Sequence, residues 1–233
     1  LYLSGTTFFT LGLGDVIPIS PLGRGLLAFE AGMGFGFLAL VISYLPVLNQ
    51  SFSRREVTIS MLDARAGSPP TAAEMLRRHS HDHGLEDLRQ LFHEWERWSS
   101  DLLESHLSYP VLGYFRSHHD NQSWLGALTA ILDASAFTIV CLEGSCERQA
   151  QLTFAITRHT IVDLAQIFNC PPGAPEQDRL SEAEWDALRI TLTEAGLKLR
   201  EQKPAKQELS ELRRLYEPYV YSLSKYLYVA VPP

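Results

Sequence analysis

Cysteine is scarce in this chain. Cys141, Cys146 and Cys170 are its three, too few and too late for a disulfide scaffold and better suited to a reducing compartment. Basic side chains are also in short supply: Lys plus Arg total 20 against 27 Asp plus Glu, a formal charge of −7. That balance argues against nucleic acid as a partner. No low-complexity segment or internal repeat is visible, and strand-like alternation is rare. No Ser/His/Asp order, paired-carboxylate motif or Cys-x-x-Cys supports an enzyme. What is present, 233 residues of which 45% are hydrophobic, rules out a disordered or collagen-like chain and allows one large domain or two small ones.

Charge is the most unevenly distributed property. Residues 1–50 hold only Asp15, Arg24 and Glu30, one basic and two acidic, which leaves 19 basic and 25 acidic residues for 51–233. Two different solvents are implied. The chain begins at Leu1, and no basic n-region or small-residue cleavage site precedes an apolar core, so a signal peptide is not expected. Further sequence upstream of Leu1 is.

Between Arg24 and Arg54 lie 29 residues with one ionisable side chain, Glu30. The stretch Gly25–Leu48 is long enough to span a bilayer, which takes about 20 apolar residues. A soluble helix this long and apolar on every side would be unusual. Pro46 falls near its expected end, where a lost backbone donor is best tolerated. Arg54, Arg55 and Arg65 follow on one side against Arg24 on the other, which predicts that everything after Ser51 is cytoplasmic.

Ahead of that span runs Thr10-Leu11-Gly12-Leu13-Gly14-Asp15. A phosphate loop is a poor reading, because a dinucleotide fingerprint needs glycine where Ile17 stands and no P-loop Lys follows. Alternating glycines do permit backbone conformations closed to other residues, so successive carbonyls can face one way. At a membrane entrance such carbonyls can replace the water around a bare cation.

At these residues the sequence resembles the pore region of potassium channels, whose pattern is Thr, hydrophobic, Gly, aromatic, Gly, Asp. The likeness extends to Pro18, to Gly23-Arg24 opening the next helix, and to Glu30-Ala31-x-x-Gly34 within it, over residues 1 to about 55. Leu13 stands where the family usually has Tyr or Phe, and Phe9 replaces a common Thr; both departures bear on selectivity. The resemblance implies the layout of a two-helix bacterial channel: pore helix, a selectivity filter at Thr10, Leu11, Gly12, Leu13, Gly14 and Asp15, then the inner helix, with an outer helix upstream. It also implies a homotetramer in the plasma membrane, since one filter strand supplies too few oxygens to surround an ion. Potassium enters as permeant ion, and no cofactor or bound metal is expected.

Within the inner helix, Ala28, Gly32 and Gly36 form a small-residue stripe suited to close helix contact. Gly34 falls at the family's hinge position, with packing as the alternative role. Phe35, Leu38 and Ile42 are placed along an apolar conduction path that could close by dewetting. Glu30, costly in lipid, is expected to make a structural hydrogen bond behind the filter rather than to bind ions.

Residues 51–70 are polar and end Gly67-Ser68-Pro69-Pro70, the pattern of a linker. Beyond it the spacing predicts helices: Thr71 to about His79, opened by a Thr71-x-x-Glu74 cap; roughly 84–107, carrying Leu85, Leu88, Leu91, Phe92, Trp95, Trp98, Leu102, Leu103 and Leu107; 122–143 and 147–169, broken at Gly144-Ser145; Ser181 to about Leu199; and Gln207–Tyr228. Loops are expected at 80–84, 171–180 and 202–206. Trp124–Leu142 is apolar enough for a second span, but Asp133 and the polar run before it favour a bundle core helix. His79-Ser80-His81-Asp82-His83 reads as a solvated loop or a weak metal site. His118, His119, His159, Asp133 and Asp163 could form a buried polar cluster. The Tyr-rich end reads as helix packing.

The whole is therefore an all-α chain: pore region 1–50, linker 51–70 and cytoplasmic helical domain 71–233. The function expected is a pore-forming subunit of a potassium-selective channel in a lipid bilayer. The alternative is a membrane-anchored helical scaffold whose pore motif does not conduct.

Overall fold

A computed structural model describes residues 1–144, 146–175, 178–200 and 205–232. Ser145 of the expected break, residues 176–177 of the 171–180 loop and 202–204 of the 202–206 loop lie outside the described residues. The chain is all-α: among the described residues the only extended pairing is a single antiparallel bridge, Leu142 to Leu199. Two compact units divide it, Leu1–Ser51 and Phe52–Pro233.

In the first unit, α1 (Tyr2–Phe8) leads through an irregular loop to α2 (Pro21–Ala66), which begins here and ends in the second unit. Pro21 starts α2 where its missing N–H costs nothing, and Ser20 Oγ accepts the Gly23 amide at 3.1 Å. Pro46 is well inside the helix rather than near its end, since α2 continues for 20 residues beyond it. The membrane-length apolar window of α2 is only 6% buried. Phe29, Met33, Phe35, Phe37, Leu40 and Leu45 are all exposed, a surface that water would not tolerate and lipid or protein would.

The second unit corrects the linker expectation. Residues 52–66 are the last turns of α2, and Arg55, Ile59, Leu62 and Ala66 are buried along one face. Their 4-3-4 spacing is helical; the many polar neighbours hid it. Arg55 is only 4% exposed. Its Nε donates to Glu56 at 3.0 Å, Nη1 to the Leu112 carbonyl at 2.9 Å and Nη2 to the Phe115 carbonyl at 2.6 Å. A buried guanidinium is tolerable when each of its nitrogens has a partner, as here.

Thr71 Oγ1 caps α3 (Ala72–Arg78) by accepting the Glu74 amide. In α4 (Gly84–Ser108), Leu88, Leu91, Phe92, Trp95, Trp98, Leu102 and Leu103 are buried, whereas Leu107 is 49% exposed. A short 3-10 turn, Pro110–Tyr114, follows. The next helix, α5 (Trp124–Cys141), is capped by Ser123 and packs against α3, α4 and three of the helices that follow it. Its apolar window is 89% buried. Length and hydropathy alike fit α2 and α5 to a span, but burial separates them: α5 is the centre of a core. Three threonines of α6 (Glu147–Ile167) join it to α4: Thr153 donates to the Phe92 carbonyl at 2.8 Å, Thr157 meets Ser99 at 3.0 Å and Thr160 donates to the Ser99 carbonyl at 3.1 Å.

A capping box at Ser181 and Glu184 opens α7 (Glu182–Glu194), which stops five residues short of the expected Leu199 at Gly196, φ 98°. The final helix is in fact two, α8 (Ala205–Arg213) and α9 (Glu217–Leu227). Pro218 lacks an amide and its ring cannot clear the preceding turn, so the run breaks at 214–216.

Two outcomes follow for this unit. Phe92→Ala removes a ring with no exposure and should cost about 3–5 kcal/mol, while Leu107→Ala stays within about 0.5 kcal/mol; urea unfolding followed by circular dichroism measures both. His106 is buried beside Trp124, at 5.6 Å between rings, and burial together with the Arg55 charge lowers its pKa from 6.5 to about 4. The folded chain holds this ring neutral while the unfolded chain takes up a proton below pH 6.5. Stability should therefore fall between pH 6.5 and 4, by up to about 3 kcal/mol, and His106→Gln should flatten that part of the pH–stability curve.

Candidate functional site

The loop between α1 and α2 has an unusual backbone. Thr10, Gly12 and Gly14 have φ of 59°, 52° and 76°, while Leu11 and Leu13 between them stay out of the left-handed region. The first of these angles comes from the end of α1. The Leu11 amide donates to the Thr6 carbonyl at 2.8 Å and the Thr10 amide to Thr7 at 3.0 Å, a Schellman closure with Thr10 in its left-handed position. The Gly12 amide adds a second bond to Thr6, at 3.1 Å. The amides thus turn back onto α1. Among the described residues no backbone amide donates to a carbonyl of 9–15. Left-handed backbone costs an L-residue about 1–2 kcal/mol, which explains glycine at 12 and 14; Thr10 bears that cost within a closed cap.

Side chains tie the loop to both helices. Tyr2 on α1 donates to Asp15 Oδ2 at 2.7 Å. Ser4, two residues on, donates to Glu30 of α2. Arg24 Nε donates to the Pro18 carbonyl at 3.2 Å. Phe8 of α1 and Phe37 of α2 meet at 6.2 Å between ring centroids. Gly34 is buried because the α1 backbone runs directly across it: a Cβ there would lie 1.9 Å from the Phe8 carbonyl oxygen. Around Gly32 and Gly36 a Cβ would meet nothing within 4 Å.

Tyr2, Ser4, Asp15 and Glu30 therefore join Thr10–Gly14 in one assembly. Phe35, Leu38 and Ile42 lie outside it, exposed on α2. Residues 1–49 match the family model described as Ion channel. Neither a curated protein nor a solved structure matches the chain. The similarity over residues 1–49 and the exposed, membrane-length apolar window of α2 together point to a membrane protein. The family match stops before the second unit begins.

In that unit the other candidate groups separate. His159 and Asp163 pair with each other at 3.3 Å, His118 meets Phe52 edge to face at 5.1 Å between ring centroids, and Asp133 turns to Arg179 at 2.9 Å and to the Tyr216 hydroxyl at 2.5 Å. The expected cluster does not form: His159 and Asp163 lie on α6, Asp133 on α5 and His118 before α5, each with partners of its own. His79 is buried with Nδ1 at 2.7 Å from the Met75 carbonyl, burial lowering its pKa, and His81 faces Asp87 at 3.1 Å. No three His, Cys, Asp or Glu side chains among the described residues could hold a metal. Burial raises all three thiols, Cys141 to about 12 and Cys146 to about 11, so they are poor ligands and nucleophiles.

The geometry makes Gly34→Ala a test of the α1 contact. The added methyl should displace Phe8 and speed hydrogen exchange at the Leu11 and Gly12 amides, while Gly32→Ala leaves both unchanged.

Proposed function

We propose that the chain is a pore-forming subunit of a potassium-selective channel. The observation that carries this reading is the alternating left-handed backbone at Thr10, Gly12 and Gly14 with its amides drawn onto α1. Carbonyls of 9–14 without amide partners cannot remain bare in lipid, where each would cost several kcal/mol. A dehydrated cation satisfies them, and the ion channel match over 1–49 supports that occupant over water.

One strand offers a cation a single side, so the reading takes four copies around an axis, in the plasma membrane. Thr10, Leu11, Gly12, Leu13, Gly14 and Asp15 then form the filter. Asp15 is held by Tyr2 at 2.7 Å, and Glu30, through Ser4, is a structural support rather than an ion ligand. Phe35, Leu38 and Ile42 share one face of α2 and would line the inner path. Gly34 acts here as the seat of α1, more than as a hinge. The three arginines near the end of α2 set the second unit on the cytoplasmic side.

In this reading the Leu13 side chain points away from the ions and only its carbonyl matters to them. Bi-ionic reversal potentials of the chain in planar bilayers should show potassium preferred over sodium, and a reversal near zero would mean a non-selective pore. Gly12→Ala and Gly14→Ala should each abolish potassium flux in liposomes with the second unit still folded. Unchanged flux in either variant contradicts the filter assignment.

A further inference from the structure

A second site lies in the helical unit, far in sequence from the loop and independent of the pore reading. A cavity of about 270 Å³ opens between α3, α5, α7 and α8, walled by Ala72, Ala73, Leu76, Phe137, Leu188 and Leu209. It is smaller than the roughly 300–1,000 Å³ of drug-sized sites and far too small for a helix or an extended peptide.

One end of this apolar chamber is charged. Asp133, Arg179 and Arg213 reach its wall. Arg179 is spent: its donors go to both Asp133 oxygens, to both Glu217 oxygens and to the Pro232 carbonyl. Asp133 is equally occupied, accepting from Arg179 and from Tyr216. Arg213 is different. Its Nε and Nη2 both donate to Glu217 Oε1, and Nη1 pairs with Asp178 at 3.0 Å. Three of the five guanidinium N–H groups are accounted for, leaving two with no acceptor among the described residues.

Charge decides what could meet them. Asp133 and Glu217 already balance the two arginines, and Asp178 and Glu184 add negative charge nearby. An anion would face those carboxylates, and a cation would have to displace Arg179 from Asp133. We infer that this cavity is a binding site for a small neutral molecule with an apolar body and one hydrogen-bond acceptor, such as a ketone, ester or amide, directed at Arg213.

The probe is 4-fluoroacetophenone, followed by fluorine NMR against the full chain in lipid nanodiscs, with empty nanodiscs as the lipid reference. Saturable broadening beyond the empty discs is expected. Ala73→Trp and Leu188→Trp, which plug the cavity from α3 and from α7, should each weaken it at least tenfold with unchanged circular dichroism. If one plug unfolds the chain, the other carries the comparison. 4-Fluorotoluene, without the acceptor, and 4-fluorobenzoate, an anion, should each bind several-fold more weakly than the ketone. No saturable component, or the same binding in a folded plugged variant, overturns the site. Benzoate binding as tightly as the ketone overturns the neutral-ligand assignment. Potassium flux plays no part in these outcomes, so failure of the pore reading would leave them standing.

Discussion

The carbonyl of Thr6 is the point on which the first unit depends. By taking the Leu11 and Gly12 amides it ends α1 and fixes the left-handed turn at Thr10, and among the described residues no backbone amide reaches the carbonyls of 9–15. The role proposed for residues 9–15 rests on those carbonyls, which in a water-free setting would need another partner. The supports are correspondingly local. Tyr2 and Ser4 on α1 hold Asp15 and Glu30, and the α1 backbone rests on Gly34 so closely that no side chain fits there. A glycine read as a hinge by position is, in this geometry, first a contact surface.

The second unit solves a different problem: burying charge. Arg55 is held by backbone carbonyls of the 110–115 segment and by Glu56, and Arg179 by Asp133 and Glu217. Removing one partner from such a set would strand the other, which makes these groups stringent determinants of the local arrangement. The Arg55 set also makes the end of α2 part of the helical unit's own core.

Much of this was legible in the sequence. The glycine alternation, the stretch after Arg24 with Glu30 as its one ionisable residue, the caps at Thr71 and Ser181, and the apolar face of α4 all correspond to what the chain forms, because each is a local signal with a local cause; the Ser123 cap was not read. The failures are just as specific. Residues 52–66 looked like linker since polar side chains outnumber the buried face made by Arg55, Ile59, Leu62 and Ala66. Pro218 was overlooked inside an otherwise periodic run, and with it the break between α8 and α9. The partners of Asp133 lie 46 and 83 residues away at Arg179 and Tyr216, a separation that no spacing rule reaches, and nearer histidines were the wrong choice. Tyr2 and Ser4 carry no motif; only the fold reveals what they hold.

The most direct test of the account is an electron cryomicroscopy map of the intact protein in lipid nanodiscs, recorded once in potassium and once with sodium as the sole cation. The account predicts four copies around an axis, with ion density spaced between the carbonyls of Thr10, Leu11, Gly12 and Leu13 in potassium and altered or lost in sodium. A monomer or dimer, or a loop facing lipid with no ion density in either salt, would contradict it.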